Sequence, residues 1–175
     1  HASAAGLRLA QSLAPELASL GLRVCSGLAL GFDGAAHRGA LEAAGPSVAV
    51  MATGIDTGYP HRHRSLAGSL QEVGCLVTEM PPGTPPRPGL FPRRNRLISG
   101  MSLGVLVVEA ALPSGSLLTA RSALEQGREV FAVPWSPLHE GGRGCLELLR
   151  DGAKMVLELR DVLEELPLAP VPEDN

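Results

Sequence analysis

Six short runs along this chain read as strands, and each is separated from the next by a helical stretch or a turn leading into one. The runs are Leu22–Cys25, Ser47–Met51, Cys75–Glu79, Val105–Val108, Glu129–Val133 and Ala153–Val156. Val105 to Val108 is unbroken apolar sequence, the pattern of a strand buried on both faces. No two runs are joined by a hairpin signal. Strands that alternate with helices in this way build a parallel sheet with helices on both faces, an α/β doubly wound fold. Ligands of such sheets bind outside the carboxyl ends of the strands. Ser26-Gly27, Thr53-Gly54, Glu79, Glu109 and Ser114-Gly115 all fall at those ends.

The densest chemistry lies between Phe91 and Thr119. Phe91-Pro92-Arg93-Arg94-Asn95-Arg96 opens a helix, with Pro92 in a first turn where its missing N–H is unneeded. Leu97, Ile98 and Met101 supply the apolar stripe predicted to pack that helix. Three arginines stand in the first turn, where the helix dipole disfavours cations. That arrangement points to an anion nearby. After the Val105 strand, Ser114-Gly115-Ser116 opens another helix whose hydroxyls and N–H groups suit an anion. Arginines, an aromatic ring and a helix N-terminus at one strand end point to phosphate.

With 175 residues, 45% of them hydrophobic, the chain has enough material for one domain with a core. No apolar run approaches the roughly 20 residues that span a bilayer, so no membrane association is expected. Cys25, Cys75 and Cys145 are far apart and odd in number, which argues against a disulfide framework and for a reducing, cytoplasmic setting. Net charge is −3, but its distribution is uneven. Eight arginines stand against four acids from Arg62 to Arg128, and nine acids against four bases from Glu140 onward. Positive charge is thus concentrated where an anion site would sit.

His1 to Leu20 reads as a helix that Pro15 should kink or end. An α/β domain that starts on a helix leads us to expect an opening strand ahead of His1. Met80 to Leu90 holds five prolines and two glycines and reads as an extended loop. The expected domain covers residues 1–166, and 167–175 is a Pro-rich, acidic tail or linker.

The turn Ser26 to Gly34 is not the dinucleotide fingerprint, since its glycines are Gly27, Gly31 and Gly34 and no acid ends the next strand. Asp33 is expected to cap the following helix. His61 and His63 lie two apart and point in different directions, so a shared metal is not expected. Glu79 and Glu109 end neighbouring strands. They are read as positioning the arginines, with an acid/base pair as the alternative.

Several of these segments, in order, carry a resemblance. Ser26-Gly27-Leu28-Ala29-Leu30-Gly31-Phe32-Asp33-Gly34-Ala35-Ala36-His37, Pro81-Pro82-Gly83-Thr84-Pro85-Pro86, Phe91 to Arg96, Ser114 to Ala120, Glu125 to Arg128 and Arg143-Gly144-Cys145 resemble signatures of the DNA-processing protein A family, also called Smf. The similarity runs from Gly6 to about Leu163. It implies an extended Rossmann-like domain that binds single-stranded DNA, protects incoming DNA and hands it to the RecA recombinase in natural transformation. It further implies a homodimer, with no enzymatic activity, cofactor or metal. Carried over position by position, the strand-binding residues are Ser26, Gly27, Arg87, Phe91, Arg94, Asn95, Arg96, Ser114 and Ser116. The dimer contacts are Leu146, Leu149 and Met155. The family's opening strand, which ends in a turn whose arginine contacts DNA, is absent ahead of His1, and Trp135 stands where the family usually has glycine.

Two independent arguments support the dimer patch. Leu146 and Leu149 share one side of a short helix while Leu148 points away, and Met155 lies on the last strand, where an open edge invites a partner. The competing functional reading is a nucleotide-binding protein or a nucleoside-monophosphate phosphoribohydrolase, related to the lysine-decarboxylase-like family. That family's glycine pair and following glutamate are lacking at Ser114 to Arg121.

Overall fold

The computed structural model describes residues 2–167. Its elements run α1 (Ala4–Ser19), β1 (Val24–Ser26), α2 (Phe32–Glu42), β2 (Ser47–Val50), α3 (Arg64–Val73), β3 (Cys75–Val77), α4 (Leu90–Gly100), β4 (Gly104–Val107), α5 (Gly115–Glu125), β5 (Glu129–Ala132), α6 (Arg143–Arg150), β6 (Lys154–Met155) and α7 (Leu159–Leu163). The alternation read from the sequence is therefore present throughout. All but Pro167 of the expected tail lies outside the described residues.

Among the described residues every strand pairing is parallel, but the strands form two sheets of three and not the single sheet expected. β1-β2-β3 is one, with Val24 opposite Ser47 and Val48 opposite Cys75. β4-β5-β6 is the other, with Val105 opposite Val130 and Ala132 opposite Met155. The division comes between β1 and β4. Val24 to Ser26 of one and Gly104 to Val107 of the other line a common cavity of about 720 Å³, with Leu13 and Leu17 of α1 and Phe32 of α2. Each sheet has its own buried cluster. Leu28, Ala49, Leu66 and Leu70 pack the first. Val107, Ala120, Ala123, Val130 and Cys145 pack one face of the second, and Phe131, Val156 and Val162 pack the other.

Helix α1 does not stop at Pro15. A proline inside a helix strips the carbonyl four residues back of its donor, here that of Gln11. Gly39 of α2 meets this carbonyl: a Cβ there would stand 2.5 Å from the Gln11 oxygen and 3.1 Å from Pro15 Cδ. Close packing of the two helices holds α1 through the proline.

Helix α4 also corrects an expectation. Met101 is exposed, and the residues α4 buries are Arg94, Asn95 and Ser99. This helix crosses the ends of strands, where backbone carbonyls need donors, so its buried face is polar. In α6, Leu149 was expected on an open patch but packs with Leu148 against the second sheet's core. The helix runs from Arg143 to Arg150 and also buries Gly144 and Cys145.

Candidate nucleic-acid interface

Ser26 ends β1, and its hydroxyl donates to Asp33 Oδ1 at 2.7 Å. Asp33 Oδ2 accepts the Ala29 N–H at 3.0 Å. Asp33 therefore closes the glycine-rich turn from inside α2, and the helix is capped by Gly31. The expected capping role for Asp33 does not hold, because its carboxylate points back over the turn.

Arg94 is 5% exposed. Its Nη1 donates to the Gly27 carbonyl at 2.6 Å and to the Val50 carbonyl, and its Nε donates to Asn95 Oδ1 at 3.2 Å. Burial lowers its pKa below the ordinary guanidinium value, against the opposing pull of Asp33. A Cβ at Gly27 would lie 2.5 Å from Arg94 Nη2, so glycine is what lets the guanidinium approach. Arg94 thus clamps the ends of β1 and β2 to α4. Asn95 extends the clamp by donating from Nδ2 to the Gly115 carbonyl at 3.3 Å, which ties α4 to the start of α5.

At that start, Ser114 is the N-cap and its hydroxyl accepts the Ser116 N–H at 3.3 Å. Ser116 is half-exposed. Ser26, Phe91, Arg94, Asn95 and Ser116 line the same cavity between the sheets. Gly27 and Ser114 adjoin it in sequence, while Arg87 and Arg96 are exposed and do not line it.

Arg96 donates to Glu79, and Arg93 Nε lies 3.3 Å from the other Glu79 oxygen. Glu79 does position arginines, as read from the sequence. Glu109 does not. Its buried carboxylate accepts the Ser3 N–H at 3.2 Å and the Ser3 hydroxyl, and stands 3.4 Å from His139 Nε2 without a hydrogen bond to it. His61 is exposed and His63 buried, the latter with Nδ1 2.9 Å from the Leu28 carbonyl. Trp135 donates to the Val108 carbonyl at 2.8 Å and its ring lies 4.7 Å from that of His139, so the unusual tryptophan anchors its loop to β4. Cys25 lines the cavity, but burial pushes its thiol up to about 11 and keeps it protonated at neutral pH.

The sequence reading missed Tyr59, whose ring lies 5.9 Å from that of Phe91. The signal was present: an aromatic beside Pro60 in a loop at a strand's carboxyl end. Among the described residues, no helix is long and apolar enough to cross a membrane.

The chain is 52% identical over 162 residues to the Smf protein of Escherichia coli, covering 92% of this chain and 43% of that protein. The DNA processing protein A structure from Streptococcus pneumoniae superposes with a TM-score of 0.87 at 39% identity, covering 95% of this chain and 59% of that one. The Helicobacter pylori DNA processing protein A, whose structure concerns its single-stranded DNA binding mode, gives 0.85 at 28% identity, covering 94% and 74%. Both bear out the Rossmann-like α/β reading. The chain spans roughly half the length of the curated relatives it matches. The family described as DNA recombination-mediator protein A matches residues 1–167, and the chain belongs to that family.

Proposed function

We propose that this chain binds single-stranded DNA, by phosphate contacts and unstacked bases, and performs no chemistry on it. The observation that carries the proposal is the convergence of Phe91, Ser26, Asn95 and the α5 N-terminus on one cavity, with Arg93 and Arg96 exposed on the helix that carries Phe91 and Asn95, and Arg87 exposed just ahead of it. A helix N-terminus and arginines take phosphates, and an exposed ring takes a base. Glu79 is held by two arginines and Glu109 by Ser3. Neither carboxylate has the free environment of a general acid or base. The H. pylori relative's single-strand binding supports the same reading.

In this reading the chain shelters incoming strands and passes them to the RecA recombinase in transformation, and it works as a homodimer. The edge of β6, open among the described residues, and its exposed Met155 support the dimer.

A titration of labelled oligothymidylate against nucleoside monophosphates tests the binding. Tight binding of the oligomer alone is expected, with a log–log salt slope of about −2 to −3 from three or four phosphate contacts. A slope near zero, or preference for the mononucleotide, would overturn the proposal.

A further inference from the structure

The loop from Ile55 to Pro60 plays no part in the clamp formed by Arg94 and Asn95, yet it brings a second ring beside Phe91, which lines the cavity. Tyr59 is 39% exposed, and its ring plane is inclined by 56° to that of Phe91. The loop is held firmly. The Thr57 N–H donates to the Gly54 carbonyl at 2.9 Å and its hydroxyl to the Thr84 carbonyl at 3.2 Å. Asp56 Oδ1 accepts the Gly83 N–H at 2.7 Å. The ring is thus presented from a platform ordered before any ligand arrives, which lowers the entropy lost on binding. Beside it, exposed Arg64 has its Nε 3.7 Å from where a Cβ on Gly58 would stand. Among the described residues neither Arg64 nor Arg87 has an acidic partner within ion-pair distance.

We propose that Tyr59 is a second base shelf, and that the Tyr59–Phe91 pair makes this surface prefer a single strand to a duplex. The inference rests on the reading of the cavity as a single-strand DNA interface. Bases within a duplex strand are parallel and about 3.4 Å apart along the axis. Two rings whose centroids are 5.9 Å apart and whose planes are inclined by 56° cannot both lie flat on neighbouring stacked bases. They accept bases that have left the stack and splayed apart. Arg64 then holds a phosphate of the same strand, so the path runs from the α5 N-terminus past Phe91 to Tyr59.

The test compares oligothymidylate with a blunt duplex of matched length, using the chain and its variants Tyr59→Leu, Tyr59→Phe, Phe91→Leu, Tyr59→Leu/Phe91→Leu and Arg64→Ala. Tyr59→Leu should weaken single-strand binding roughly 5- to 100-fold while leaving the duplex nearly unchanged. Tyr59→Phe should stay within about threefold of the parent, since it keeps the ring. The double variant should bind more weakly than Phe91→Leu alone. Arg64→Ala, a surface change, should flatten the single-strand salt slope by about 0.7. If the double variant matches Phe91→Leu, Tyr59 only braces its neighbour and the proposal fails. It also fails if Tyr59→Leu leaves the ratio of single-strand to duplex affinity unchanged. In both cases the parent's own binding and salt slope would still stand for the interface. Absence of strand binding by the parent would overturn the interface and the shelf together.

Discussion

Arg94 and Arg96 are two positions apart in one helix and look equivalent in the sequence, but their surroundings separate them. Arg96 is exposed and paired with Glu79, whereas Arg94 is buried against two carbonyls. Arg94→Ala would orphan the acceptors at Gly27 and Val50, at about 1–3 kcal/mol each. We expect a large drop in the urea midpoint and, in whatever folds, a salt slope close to the parent's. Full stability in that variant would contradict the clamp. No local pattern distinguishes the two arginines, because what separates them is the position of β1 and β2, remote in sequence. His37 is a second buried case. Its Nδ1 lies 2.7 Å from the Ser47 hydroxyl, which itself donates to the Val24 carbonyl at 2.8 Å. Nδ1 must therefore carry the proton, which leaves Nε2 buried and bare. Burial lowers the His37 pKa to about 4, against the partly opposing charge of Asp33. The unfolded chain binds this proton near the ordinary histidine value of about 6.5 and the folded chain does not. Stability should fall as pH drops from about 6.5 towards 4, by up to about 3 kcal/mol. Urea midpoints at about pH 7 and pH 4.5 measure this, and the loss should shrink in His37→Gln.

Strands and helices were legible as elements because their signals are local. Apolar runs bounded by glycine and proline gave all six strands to within two residues at either end. What the pattern could not supply was the inward face of an element whose partner is polar or distant. Helix α4 offers carbonyl-seeking groups to strand ends, so its apolar stripe misled. Helix α1 survives Pro15 through Gly39, which is 24 residues away. The proposed dimer belongs to this scale. β6 is two residues long, pairs among the described residues only with β5 and has exposed Met155, and Leu157 just beyond it is 75% exposed. Leu149 faces the core, so a charge there would damage the fold itself. The informative variants are Met155→Glu and Leu157→Glu. The parent should sediment as a dimer and either variant as a monomer that still melts cooperatively. Equal mass in all three would remove β6 as the contact.

At the scale of the whole molecule, the fold class and the meeting of site residues at strand ends followed from topology alone, since parallel strands all point their carboxyl ends one way. The interruption between β1 and β4 was not legible as a division, because strand order is not written in any local run. Its consequence reaches the ligand. The cavity that gathers Ser26 on one side and Ser116 on the other lies on that seam, spanned by the polar face of α4. A molecule lodged there adheres to both half-sheets at once, so prising the halves apart also means detaching it. Occupancy stiffens the join by an amount that grows with the logarithm of ligand concentration over its dissociation constant. On the proposed function, a bound strand is then mortar between two slabs as well as a guest on their surface.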